Sequence, residues 1–293
     1  MTRRDRFGLS CAVTTPFTKA MEIDLPLFVR HVQRLLASGC DSVTVFGTTG
    51  EGPTLGMQDR ISVLSALQAA GIDLRTQVIG GVMANSPREA DEQIQLLYDF
   101  DCRNVLLAPP FFFKGVSNEG LFAWVSERIQ AAGGQARDII LYHIPQMTGV
   151  RYSIAIIEKL KRAFPKIVMG VKDSAGIWPE TEALLKAHSD LAILVGDESH
   201  LAAAVRLGGE GAICGFANMV PQSMRIVAYE GKEHPDVDRL KRVMEGDHFL
   251  AVVKSVLAHQ HKEPGWHFLR PPLVPVTKPV ASGIVARYKA EFS

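Results

Sequence analysis

Lys172 is where chemistry can first be read in this chain. It closes the apolar run Ile167-Val168-Met169-Gly170-Val171 and is followed at once by Asp173-Ser174-Ala175-Gly176. Burial penalises the charged form of an amine, which is how a protein makes a lysine nucleophilic toward a carbonyl and prepares a Schiff base. A lysine in such a place can also snorkel outward and simply mark the wet end of a strand. Its companions must separate the two.

Further segments carry donors and acids. Gly47-Thr48-Thr49-Gly50-Glu51-Gly52 follows a β-branched run. Glycines there let backbone N–H groups approach an anion, and two hydroxyls add donors, which suits a carboxylate. The segment is neither a Walker A loop nor a GxGxxG fingerprint, and a plain capped turn is its other reading. Tyr142, in Tyr142-His143-Ile144-Pro145, puts a phenol at a strand end, where it can pass protons in imine chemistry or merely pack its ring. By strand alternation His143 points the other way, toward the helices, and is structural. Gly196-Asp197-Glu198-Ser199 offers acids that could hold sugar hydroxyls or cap the next helix. Gly215-Phe216-Ala217-Asn218 leaves room above another strand end.

Each of these positions ends or follows a short apolar run, and the runs have a regular spacing. Eight are present: Ser10–Val13, Ser42–Val45, Gln77–Gly80, Asn104–Leu107, Ile139–His143, Val168–Val171, Ala192–Val195 and Gly211–Ile213. They alternate with amphipathic stretches every roughly 25 to 35 residues, the size of one βα unit. Most are continuously apolar, as parallel strands buried on both faces require. The pattern predicts an α/β fold, a (β/α)₈ TIM barrel over residues 1–220, with a helical C-terminal region over 221–293 packed on it. In such a barrel, reacting groups come from the carboxyl rim, where the candidates fall.

The intervening helices carry ordinary boundary signals. Ser86-Pro87-Arg88-Glu89 reads as an N-cap, a first-position proline and a capping-box glutamate, ahead of Ala90, Ile94 and Leu97 on one face. Ile61, Leu64 and Leu67 repeat that stripe one unit earlier. One long helix is expected over Leu240, Val243, Met244, Leu250, Val253 and Leu257. The segment Pro271-Pro272-Leu273-Val274-Pro275-Val276 is too proline-rich for a central strand and reads as an extended connector before a last helix, about 279–291.

Composition bounds the function. With 293 residues and 47% hydrophobic content the chain can bury a large core. A formal net charge of +1 points to neither nucleic acid nor an anionic membrane, so a small molecule is the expected partner. No run reaches the roughly 18 apolar residues of a membrane span. Cys11, Cys40, Cys102 and Cys214 lie at or beside apolar runs without a CxxC pair, which reads as reduced thiols in a cytoplasmic protein rather than a zinc site. The basic start, residues 1–8, leads into no long apolar stretch and reads as unprocessed.

Taken in order, these residues resemble the dihydrodipicolinate synthase/N-acetylneuraminate lyase family of class I aldolases over nearly the whole chain. Thr14, Pro16 and Phe17, then Gly47-Thr48-Thr49-Gly50-Glu51, Tyr142-x-Ile144-Pro145, Gly170-x-Lys172-Asp173-Ser174 and Gly196-Asp197 all match in register. The resemblance implies a barrel with a C-terminal helical extension, assembled as a homotetramer built from dimers. It implies that Lys172 forms an imine with pyruvate or a pyruvate-derived moiety. The Thr49 hydroxyl and the N–H groups of Thr48 and Thr49 would hold the carboxylate, with Tyr142 as acid/base connected to Thr48. Gly47, Met147, Gly196, Asp197 and Ile213 would join the threonines as substrate contacts. A protonated imine is a better electron sink than a ketone, so neither a metal nor an organic cofactor is required.

Two departures narrow the function. Where the synthase branch has an arginine for its aldehyde partner's carboxylate, this chain has Met147, and a thioether cannot pair with a carboxylate. Where that branch extends a tyrosine across the dimer interface, this chain has Phe111, Phe112 and Phe113. The aromatic run can line the pocket or form a subunit contact; exposed on a monomer it would be a sizeable apolar patch. A lyase for a 2-keto-3-deoxy acid, breaking or forming a C–C bond, fits better than a synthase, with Asp197, Glu198 or Gln146 as hydroxyl contacts. A dehydratase or deaminase using the same imine, an authentic 4-hydroxy-tetrahydrodipicolinate synthase, and a barrel that binds a keto acid without turnover remain as alternatives.

Overall fold

The computed structural model describes residues 6–293; positions 1–5, most of the expected unprocessed start, lie outside the described residues. Parallel strands β1 (Gly8–Ala12), β2 (Ser42–Val45), β3 (Val78–Val82), β4 (Asn104–Leu107), β5 (Ile139–His143), β6 (Val168–Asp173), β7 (Ala192–Val195) and β8 (Gly211–Cys214) form a closed TIM barrel. They follow one another in chain order, and β1 pairs with both β2 and β8.

The strands agree with the apolar runs to within a few residues, and two differences matter. Gln77 ends the short helix Leu74–Gln77, so β3 starts one residue later than its apolar run. β6 runs on through Asp173, because Lys172 pairs in register with Tyr142 on one side and Leu194 on the other. Lys172 is therefore inside the barrel wall rather than beyond a strand end.

Alternation divides the core in two. Ile79, Leu106, Ile140, Tyr142, Leu194 and Ile213 pack inside the barrel. Leu9, Val43, Val105, Leu141, Val171 and Ile193 pack between barrel and helices. Each fully buried aliphatic side chain contributes about 1.5–3 kcal/mol, so both layers resist a register slip that would exchange them.

The helices depart from their sequence signals in three places. Ser86 is the N-cap of Pro87–Asp99, but its side chain makes no capping bond, and Glu89 instead accepts from Gln93 Nε2 at 3.1 Å; the capping box does not form. In Met57–Ala69, Val63, Leu64 and Leu67 are buried with Arg60, whereas Ile61 is half-buried. The long C-terminal helix is two, Pro235–Met244 and Phe249–His261, parted where Gly246 takes φ 82°, a left-handed conformation that suits glycine. Residues 271–276 carry neither helix nor strand ahead of the last helix, Lys278–Phe292. Among the described residues no helix is long and apolar enough to cross a membrane. The four cysteines are free and buried, and burial pushes the Cys40 and Cys102 thiols up to about 12.

Candidate active site

The barrel's carboxyl rim opens into a cavity of about 650 Å³. Its wall holds Thr48, Thr49, Tyr142, Met147, Lys172, Gly196, Asp197 and Ile213, so eight of the nine sequence-identified residues share one space. The ninth, Gly47, lies outside the wall, with its carbonyl accepting the N–H groups of Gly50 and Gly52 at 3.1 and 3.0 Å.

Register explains the central contact. Tyr142 and Lys172 are partners on β5 and β6, both aimed inward; Lys172 is only 4% exposed, and its Nζ lies 4.2 Å from the centroid of the tyrosine ring. The Tyr142 hydroxyl reaches Thr48 Oγ1 at 3.2 Å. The next pair in register, His143 and Asp173, faces the helix layer. Asp173 accepts from Thr181 Oγ1 at 2.6 Å and Ala175 N at 3.1 Å, and His143 Nδ1 accepts from Tyr152 N at 3.1 Å. Burial holds the His143 imidazole below its ordinary range, with Asp173 pulling the other way. Thus the carboxylate next to Lys172 in sequence is spent on a neighbouring helix.

The loop after β2 is tightly wound. Phe46 and Glu51 adopt left-handed φ values of 62° and 57°, and a Cβ on Gly52 would sit 1.8 Å from the Phe46 carbonyl oxygen, so only glycine fits there. Buried Arg60 clamps the loop by donating to Gly52 O at 3.1 Å and Gly81 O at 2.8 Å. The N–H groups of Thr48 and Thr49 take no partner among the described residues, leaving two donors at the cavity wall. Beneath them Glu51 is wholly buried; it accepts from Lys254 Nζ at 2.5 Å and from Arg270 N at 3.0 Å. Lys254 also donates to Phe268 O at 2.6 Å, and burial pulls its amine down to about 8 against the opposing pull of Glu51.

The two rim acids differ. Asp197 caps the helix Glu198–Arg206, accepting from Ser199 N at 2.9 Å. Glu198 turns into the cavity wall, where Oε1 accepts the N–H groups of Gly215 and Phe216, both at 2.9 Å. Burial pushes its carboxyl up to about 7, even though these backbone bonds favour the ionised form. Asn218 bonds the Ala12 and Gly215 carbonyls, both at 2.8 Å, and ties the ends of β1 and β8 together. Sequence reading missed Lys254 and Arg270, and it took Asn218 only as part of a segment that leaves room above a strand end. It also missed the wall residues Met244, His248, Phe249 and Leu273, which come from the C-terminal region. One signal was present: Lys254 interrupts the apolar run Val252-Val253-Lys254-Ser255-Val256. Among the described residues no arginine lines the cavity, and Met147 is 62% exposed at its edge.

Residues 6–286 match the model of the Dihydrodipicolinate synthetase family. A curated relative from Chloroflexus aurantiacus, described as an uncharacterized DapA-like lyase, is 30% identical over 75% of this chain and 73% of its own length. The crystal structure of dihydrodipicolinate synthase from Agrobacterium tumefaciens is 44% identical, with a TM-score of 0.94 over 98% of this chain and 100% of that one. The chloride-inhibited dihydrodipicolinate synthase from Acinetobacter baumannii, solved with pyruvate, is 25% identical, with a TM-score of 0.85 over 98% of this chain and 99% of that one.

Proposed function

This chain belongs to the dihydrodipicolinate synthetase family, and from that premise we propose that it forms an imine between Lys172 and a 2-keto acid, pyruvate or a 2-keto-3-deoxy acid. The family's enzymes are lyases of the class I aldolase type that use a lysine Schiff base and no external cofactor. One observation carries the assignment to this site: Lys172 Nζ lies over the Tyr142 ring, and the Tyr142 hydroxyl meets Thr48 in the same wall. The amine attacks the keto carbon, and water leaves as the imine forms. The free N–H groups of Thr48 and Thr49 and the Thr49 hydroxyl hold the carboxylate, and Tyr142 relays protons through Thr48. Gly47 supports this loop from behind, while Gly196, Asp197, Ile213 and Met147 border the rest of the substrate.

The wall argues for a neutral, hydroxylated tail on the substrate. It holds Asp197 and, among the described residues, no arginine, so a second carboxylate would find no guanidinium partner there. The C-terminal region, residues 221–293, serves in this reading to close the mouth, supported by Met244, His248, Phe249, Leu250, Pro272 and Leu273 in the wall. Assembly into a homotetramer built from dimers is part of the same proposal. Its support is the edge-to-face pair Phe112 and Phe113, 73% and 75% exposed, which suits a covering partner copy.

The test is reduction with borohydride in the presence of pyruvate, followed by peptide mass mapping. A covalent adduct on Lys172, absent from Lys172→Ala, is expected. Under saturating pyruvate, an unmodified Lys172 sinks the proposal.

A further inference from the structure

Glu198 is a second acid in the cavity, placed on the wall formed by the ends of β7 and β8, whereas Tyr142 comes from β5 and Thr48 from the loop after β2. The two backbone donors that reach it from across the rim, Gly215 and Phe216, go to the same oxygen, Oε1, and the N–H of Glu198 itself also reaches the carboxyl group. The other oxygen, Oε2, takes no hydrogen bond from another of the described residues and is not among the atoms sealed in the core. No lysine, arginine or histidine among the described residues forms an ion pair with this carboxyl group. Its charged and titratable neighbours include Asp197 beside it and the thiols of Cys11 and Cys214, and Lys172 and His248 line the same cavity. A proton on this group therefore belongs on Oε2, facing the cavity, and burial makes that protonated form accessible near neutral pH.

Resting on the Schiff-base reading above, we propose that Glu198 is the acid that protonates a departing hydroxyl, so that the enzyme dehydrates a 2-keto-3-deoxy sugar acid. The two possible reactions make opposite demands at C4. Retro-aldol cleavage requires the C4 hydroxyl to lose a proton as it becomes an aldehyde. Dehydration requires a base at C3 and a separate acid at the C4 oxygen, and the cavity supplies a phenol–hydroxyl pair on one wall and an acid on another.

The step balances without a further reactant. After imine formation, the Thr48–Tyr142 pair takes a proton from C3, and the C3–H electrons form the enamine. The nitrogen lone pair then restores the iminium bond, the C2=C3 pair moves to C3=C4, and the C4–O bond breaks. The oxygen takes the Glu198 proton and leaves as water. Hydrolysis of the imine releases the unsaturated keto acid and Lys172, while solvent returns a proton to Glu198 and accepts the one held by Tyr142.

The Glu198→Gln variant separates this acid from the imine half of the site, because its amide oxygen can still accept from Gly215 and Phe216. The readouts are exchange of pyruvate methyl protons in D₂O, followed by NMR, and conversion of a panel of 2-keto-3-deoxy pentonates and hexonates, followed by mass spectrometry. Wild type should exchange pyruvate and give products lighter by one water; Glu198→Gln should exchange within about twofold and dehydrate about 10²- to 10⁴-fold more slowly. Partial recovery of dehydration in Glu198→Asp would add support. Dehydration by Glu198→Gln within about threefold of wild type overturns the inference. So does loss of exchange together with dehydration, which would make Glu198 a structural support of the mouth. Aldehyde release in place of water loss by wild type, or no product from any panel member, also overturns it. Failure of wild type to exchange or trap pyruvate would strike the Schiff-base reading itself, a result distinct from all of these.

Discussion

Replacing Lys254 with methionine tests whether a buried ion pair supports the loop after β2, proposed above to hold the substrate carboxylate. Lys254 and Glu51 have no side-chain exposure, and their bond joins positions 203 residues apart in the chain. Without the amine, Glu51 keeps only the Arg270 N–H, and Phe268 O loses a donor. Breaking a buried pair on one side costs about 3–5 kcal/mol, because the remaining charge stays desolvated and uncompensated. Urea unfolding of Lys254→Met should show a loss of that size. The double variant Glu51→Gln/Lys254→Met should recover most of it, since exchanging both members for neutral groups of similar volume is often close to neutral. Because Glu51 directly follows the turn carrying Thr48 and Thr49, the single variant should also need more pyruvate for half-maximal borohydride trapping. Its maximal trapping should remain. A loss below about 1 kcal/mol, or a double variant no more stable than the single, would refute the reasoning.

Other perturbations probe separate links. Tyr142→Phe keeps the buried ring but removes the bond to Thr48; unfolding should show a loss of only about 1 kcal/mol, while stopped-flow trapping or methyl exchange should slow by about 10²- to 10⁴-fold. His31 is buried, and burial lowers its pKa to about 3 from an ordinary 6.5. The unfolded chain therefore binds a proton below 6.5 that the native protein refuses until about 3. Stability from this group is complete above the unfolded value and falls with pH through that window, by about 2 kcal/mol between pH 7 and pH 5. Urea titrations at both pH values should show a shallower dependence in His31→Gln, and identical slopes would contradict the assignment. Finally, Phe112→Asp with Phe113→Asp should lower the oligomer mass in sedimentation, without loss of the monomer fold by circular dichroism; an unchanged mass would remove these rings from the contact.

Much of the architecture was legible before folding was considered. Strands buried on both faces require continuous apolar runs, so the eight strands and their order around the barrel could be read locally, and the carboxyl-rim rule then gathered Lys172, Tyr142, Thr48 and Thr49. Alternation likewise assigned His143 to the helix layer, where Tyr152 N meets it. Helix ends were less legible. Ser86 and Glu89 have the residue types of a capping box but use them otherwise, and the break at Gly246 depends on a turn that an amphipathic pattern does not register.

By itself, then, the sequence determined the order of the eight strands, the closed parallel barrel and the place of Lys172 at the end of the sixth apolar run, since each depends on periodicity or on a residue's place in one βα unit. Tertiary structure decided which neighbours each polar group serves. It turned Asp173 away to Thr181, buried Glu51 against Lys254 and brought Glu198 under the N–H groups of Gly215 and Phe216. Those partners lie far apart in the chain or on the opposite side of a strand, and desolvation and hydrogen bonding depend on distance in space rather than in sequence.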